Sequence, residues 1–214
     1  TDGHTLTITN TANYRFNLGS DHSFNFMVGQ EGVDYHYEAF SLMTKGQNND
    51  RLTNISTGTR ATSWSDTTDS DYGFLSFFSR GEYNFRNTYF VEAAVRADGS
   101  SRFGSATRYG FFPSVSLGWR FSAEEFLNNA TWLTEGKLRL SAGQTGNQSV
   151  GNYTWLGEYA TSSSRYDGEV AVTNTALSNK ALGWETTTQY NAGLDLSFLK
   201  GRISLTADAY IKLT

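Results

Sequence analysis

With no cysteine in its 214 residues, the chain must draw any chemistry from three histidines, its carboxylates and its hydroxyls. Ser20-Asp21-His22 has the residue types of an acyl-transfer triad. Three neighbours in one turn point different ways, so they cannot pass a proton along a line, and a solvated turn is expected. His4 and His22 fall at strand ends and His36 in an extended outer segment. None has the His-x3-His spacing that aims two imidazoles at one metal. Asp66, Asp69 and Asp71 in DTTDSDYG resemble a calcium loop only faintly, because the EF-hand glycine and terminal glutamate are not in register. A solvated acidic loop is the expectation there. Two glycosylation sequons, Asn54-Ile55-Ser56 and Asn129-Ala130-Thr131, match a pattern too common to weigh. The reading is a chain without catalysis, bound metal or cofactor.

Two further groups invite recognition instead of reaction. In Asp98-Gly99-Ser100-Ser101-Arg102 the Asp-Gly pair suits a turn, and Asp98 lies within reach of Arg96 and Arg102. The expectation is a rigid hairpin tip at an outer rim. Trp64, Trp155, Tyr159 and Tyr166 lie in long polar stretches, where their rings can stack on sugars or pack the loops on one another.

The elements that position these residues are strands. In Tyr89–Arg120, Tyr89, Val91, Ala93, Val95 and Ala97 share one face, and Glu92, Ala94, Arg96 and Asp98 the other, with Phe90 as an exception. Val115, Leu117, Trp119 and Phe121 then alternate with Ser114, Ser116, Gly118 and Arg120. This period of two is a half-buried strand pattern. The same alternation appears near 4–18, from Ser23 to Gly29, near 72–85, over 137–144, and in a final hairpin turning at Lys200-Gly201. After Gly29 the parity slips to Val33, Tyr35 and Tyr37, through a bulge at Gly29 or Gly32 or because the strand leaves its apolar surroundings. Residues 39–70 and 145–186 read as long polar connections, the second with local strands around Tyr153–Tyr159. Ser122 with Glu125 forms a capping box, which predicts a short helix near 122–128.

Composition narrows what these strands face. Apolar residues make up only 38%, aromatics 15%, with 21 glycines and one proline, and the mean hydropathy is −0.47. No apolar run approaches the ~18 residues of a transmembrane helix, but a transmembrane barrel needs only alternate residues apolar. A net charge of −4 without a basic stripe argues against nucleic acid. Short turns alternate with long loops, and Tyr14, Phe16, Phe24, Phe26, Tyr83, Phe85, Tyr89, Trp119, Phe121 and Phe198 crowd the short-turn ends. That placement fits an interfacial girdle. Arg80, Glu82, Glu92, Arg96, Arg120, Arg139, Asp195, Asp208 and Lys212 would then line a polar lumen, with Arg96, Asp98, Arg102, Arg120 and Arg139 as a lumen and rim network. A soluble or surface β-sandwich that binds carbohydrate and a small complete eight-strand barrel are the alternatives.

RADGSSRFG (96–104), FPSVSLGWR (112–120), LRLSAGQTGNQSVGNY (138–153) and WETTTQYNAGLDLSF (184–198), with SAEEFL between them, resemble the later barrel strands of the SusC/RagA family of TonB-linked outer-membrane receptors. The match departs at Ala97, where a second basic residue is common, and at SNKALGWETT, which lacks a frequent proline. The resemblance implies an all-β, antiparallel, transmembrane segment of about eight strands from a barrel of about twenty-two. All of 1–214 would be barrel, without the plug domain, TonB box, signal peptide or closing strand. It also implies a site in the cell outer membrane, contact with membrane lipid, a SusD-like surface lipoprotein and, through the plug, TonB as partners, and an oligosaccharide or peptide as the imported nutrient.

Overall fold

The structure, a computed structural model, describes the backbone of residues 1–214 and the side chains of all but residues 59–64, 162–164 and 166. Ten strands follow one another: β1 (Asp2–Leu18), β2 (His22–Lys45), β3 (Thr59–Phe85), β4 (Tyr89–Ser100), β5 (Tyr109–Trp119), β6 (Leu133–Asn147), β7 (Glu158–Tyr166), β8 (Glu169–Ala176), β9 (Glu185–Phe198) and β10 (Ile203–Leu213). Eight of them form one antiparallel sheet in the order β1-β2-β3-β4-β5-β6-β9-β10, and β7 and β8 pair separately within the 145–186 connection. The all-β antiparallel reading therefore holds.

The sheet is a single layer. Among the described apolar side chains only Phe103 and Phe112 are buried, while Leu6, Ile8, Val28, Val91, Val115, Leu117, Leu205 and Ile211 stand exposed on one face. A β-sandwich buries such a face against a second sheet, so the sandwich alternative is overturned. The eight-strand closed barrel falls as well, because β1 pairs only with β2 and β10 only with β9.

Cross-strand register carries the alternation through the sheet. Tyr89 opposes Trp119, Val91 opposes Leu117 and Ala93 opposes Val115; Leu117 opposes Leu140, which opposes Ala192, which opposes Ala209. A slip of one residue would turn this whole set to the charged side, which is what fixes the pairing. At the short-turn end the outward rings contact one another in series, stacked except for the edge-on Trp119–Phe121 pair. Phe16 lies 4.9 Å from Phe24, Phe24 4.9 Å from Tyr83, Phe85 6.3 Å from Tyr89 and Trp119 5.8 Å from Phe121.

The tight turns follow local chemistry. In the three-residue link from Phe85 to Tyr89, Arg86 and Asn87 both have positive φ, 51° and 50°, the central pair of a turn closed by Thr88 N–H donating to Phe85 O at 2.9 Å. Arginine is an uncommon residue there. Its Nε donates to Asp21 Oδ2 at 2.8 Å and its backbone N–H to Asp21 O at 2.7 Å, which ties this turn to the neighbouring one.

Two expectations need correction. Residues 39–70 are not one long loop: β2 continues to Lys45 and β3 begins at Thr59, so a tall hairpin rises beyond the apolar belt. Its register runs without a shift from His22 to Met43, so no bulge occurs at Gly29 or Gly32. The parity slip is the strand leaving apolar surroundings, and Tyr35 now stacks on Tyr72 at 4.8 Å. The helix near 122–128 is instead two three-residue 3-10 turns, Phe121–Ala123 and Glu125–Leu127, without a side-chain cap. Glu124 between them is extended (φ −80°, ψ 145°), because its carboxylate is held by strand-end rings: Tyr89 Oη and Trp119 Nε1 both donate to Oε1.

Candidate functional site

The charged face of the sheet concentrates its ion pairs at two arginines. Arg96, on β4, donates from Nε to Asp98 Oδ1 at 2.6 Å and from Nη2 to Ser76 Oγ at 2.8 Å and Glu31 Oε1 at 3.2 Å. Residues two apart on a strand share a face, which brings Arg96 and Asp98 together. Ser76 directly opposes Asp98 on β3, and Glu31 opposes Ser76 on β2. The guanidinium also lies over the rings of Phe74 and Phe78, at 5.8 Å and 5.4 Å.

A small aromatic core roofs this centre. Phe103 is fully buried, 5.1 Å from Trp184, and Phe112 lies 5.3 Å from the same indole. Trp184 Nε1 donates to Arg108 O at 3.0 Å. The Phe112 and Trp184 rings both lie over Gly110, where a Cβ would collide with Phe112 and press tightly on the indole. Arg102 does not join Asp98. It reaches the 145–186 connection, donating to Asn152 Oδ1 at 2.7 Å and Gln148 O at 3.3 Å, and lies 4.2 Å over the Tyr72 ring. The hairpin tip thus folds onto the inner face and holds the neighbouring loop.

Arg139, on β6, forms the second centre. Its Nε and Nη2 take both oxygens of Asp195 at 2.6 Å and 3.0 Å, and Nη2 also reaches Asp208 at 3.0 Å. Asp208 is two strands away, with Gly193 between them in register. A Cβ at Gly193 would meet both the guanidinium and Asp208 Oδ1, so glycine opens the path for this bridge. Nearby, Lys137 Nζ lies 4.6 Å over the inward ring of Phe90, which accounts for that break in the alternation.

Arg120 stands apart from both centres. It follows β5 at the short-turn end, where its N–H donates to Thr88 O at 2.8 Å, and it lines a shallow recess with Ser122, Thr134 and Glu135. The five residues expected as one network are therefore dispersed over four places. Glu31, Ser76, Tyr72 and Asn152, which sequence reasoning missed, complete the pairs. Of the loop aromatics, Trp155 is half-buried with its ring against Gly104, and Tyr159 is exposed. Trp64 and Tyr166 lie outside the described residues.

Asp21 and His22 are committed elsewhere, Asp21 to Arg86 and His22 Nδ1 to Tyr83 Oη at 2.8 Å, while Ser20 Oγ donates to Asp21 Oδ1 at 2.9 Å. The hydrogen bond from Arg86, reinforced by Ser20, holds the Asp21 carboxyl below the usual carboxylate range. Tyr89 and then Trp119 lower Glu124 in the same way. Above the apolar belt, the Asp71 carboxylate bonded to His36 raises that imidazole above its ordinary value.

The chain matches the family described as TonB dependent receptor-like, beta-barrel, over residues 1–213. It is 32% identical over 208 residues to TonB-dependent receptor P39 of Formosa agariphila, covering 96% of this chain and 20% of that protein. It is 34% identical over 207 residues to TonB-dependent receptor SusC of Bacteroides thetaiotaomicron, covering 94% and 20%. Among solved structures it superposes on the RagAB peptide transporter with a TM-score of 0.90 at 31% identity, covering 98% of this chain and 23% of that one. The chain thus spans about a fifth of the length of these curated relatives.

Proposed function

The chain belongs to the TonB-dependent receptor-like β-barrel family, and from that premise we propose that it forms one section of the wall of a larger outer-membrane barrel that imports a nutrient. One observation carries the reading: a single-layered sheet is apolar and ring-bordered on one face and ion-paired on the other. A lipid bilayer accepts the first face, and a wet or plugged interior accepts the second. The unpaired edges at β1 and β10 need neighbouring strands, since lipid cannot satisfy backbone groups. The whole of 1–214 is assigned to barrel, with a plug domain elsewhere in the receptor.

In this assignment the short turns face the periplasm and the tall β2–β3 hairpin and the β7–β8 hairpin face outside. The inner wall, with Arg96 and Arg139, borders a plug driven by TonB, and a SusD-like lipoprotein closes the outer mouth. The cargo is an oligosaccharide or a peptide. SusC and the RagAB transporter stand among the relatives, and the exposed ring of Tyr159 offers a flat face for either, a role the sequence also assigns to Trp64, Trp155 and Tyr166. None of these residues needs to react.

Deleting the gene and feeding panels of oligosaccharides and peptides tests the proposal. Loss of growth on one class, restored by the complete receptor but not by a version lacking its TonB-contacting segment, is the expected result. Growth unaffected on every oligosaccharide and peptide would overturn it.

A further inference from the structure

Above the outward Ile8 and Leu6, the register of β1, β2 and β3 assembles a grid of metal-ligating side chains. Asp2 opposes Glu38, and Glu38 opposes Asp69; one pair below, His4 opposes His36, and His36 opposes Asp71. All six occupy outward positions. The His4 and His36 rings lie 5.3 Å apart, centroid to centroid. His36 Nδ1 is 2.6 Å from Asp71 Oδ1. One ligand atom each from His36, Asp69 and Asp71 lies within 4.8 Å of the others.

Three carboxylates directly opposed across adjacent strands repel one another, an arrangement that costs stability unless a cation offsets it. Among the described residues, no lysine or arginine pairs with Asp2, Glu38 or Asp69. The two imidazoles in the adjoining row change the chemistry from that of a merely acidic surface. Mixed nitrogen and oxygen donors favour a first-row divalent ion such as zinc over calcium or magnesium, which prefer all-oxygen shells. Bonds of about 2.1 Å separate ligand atoms around a tetrahedral ion by roughly 3–3.5 Å, so side-chain rotation alone closes the set.

We propose that His36, Asp69 and Asp71, with His4 beside them, form a divalent transition-metal site on the outer surface of the β1–β3 hairpins. The site is independent of the transport reading, since it needs only the register of three strands. A bound ion clamps β1 to β3 across β2 and fixes the base of the tall hairpin. Asp66, the third aspartate of the acidic stretch, points to the opposite face by strand parity and takes no part.

Titration calorimetry of the complete receptor in detergent with zinc chloride, compared with H36Q and D69N, decides the matter. Among the described residues the Asp69 side chain has no hydrogen-bond partner, and its backbone pairing opposite Glu38 does not depend on it, so D69N keeps the strand pairing, and heat-modifiable gel mobility checks folding of each variant. The wild type should bind one zinc equivalent more than either variant, or bind the same equivalent at least tenfold more tightly. Cobalt should give a visible d–d spectrum that the variants lose. Equal zinc stoichiometry and affinity in the wild type and either folded variant would overturn the site, as would no binding by the wild type.

Discussion

The two arginine centres of the inner wall use nearly the same bonds and sit in different surroundings. Arg96 pairs with a buried Asp98 and lies against two phenylalanine rings, one of which, Phe74, adjoins the Phe103–Trp184 core. Arg139 takes two carboxylates on strand positions, and Asp208 is half-exposed, with nothing folded over it. The two guanidiniums are similarly exposed, at 37% and 41%, and the difference lies in their partners: Asp98 is 10% exposed and Asp208 55%. The first centre therefore holds the loop end of the sheet together, and the second leaves a polar surface free to meet whatever fills the interior.

That contrast can be broken in graded steps. Phe103→Ala removes the one fully buried ring of the roof and should destabilise the loop end by about 3–5 kcal/mol. Hydrogen exchange in the folded receptor should then rise in 99–110 and 148–184 and stay unchanged around Arg139. Equal loosening at both centres would erase the distinction. Asp98→Ala leaves Arg96 without its closest partner in a half-buried setting, and should lower thermal stability by about 1–3 kcal/mol. Asp208→Asn at the open centre should cost at most about 1 kcal/mol, because solvent screens the pair. A loss as large as that of Asp98→Ala would show that the second centre is covered too.

The smallest effect concerns pH at the short-turn end. The folded-state pKa of Glu124 is depressed by Tyr89 and Trp119, so its contribution is present above the unfolded value and is lost as pH falls through the folded one. Wild type should therefore exceed Glu124→Gln in melting temperature near neutral pH, and the gap should close in acid. A gap that widens in acid would reverse the sign.

Legibility in the sequence followed the solvent. Within the bilayer belt outward positions are mostly apolar, with Asn10 and Gln30 bonded to each other as an exception, so the strands around Tyr89–Arg120 and the final hairpin announced themselves by alternation, and aromatic placement marked one interface. Above the belt neither face needs to be apolar, and residues 39–45 and 59–70 read as loop although they are strand. Ser122 and Glu125 spelled a capping box, but the pull of Tyr89 and Trp119 on Glu124 is a tertiary fact without a local signature. Arg96 and Asp98, two apart on one strand, were readable as neighbours. Glu31 and Ser76 were not, because their approach depends on which strands lie side by side and in what register. The same holds for His36 and Asp71, 35 residues apart and 2.6 Å from each other.

The measurement that bears most directly on the two-faced sheet is a nitroxide scan of the complete receptor in lipid bilayers. Spin labels placed singly at Val91, Val115 and Leu117, and at their inward neighbours Glu92, Ser114 and Ser116, are tested for collision with oxygen and with a water-soluble nickel chelate. The outward positions should favour oxygen and exclude nickel, and the inward ones should do the reverse, alternating residue by residue. Equal exclusion of both reagents from the outward set would mean that protein, not lipid, covers that face, contradicting the membrane-wall assignment.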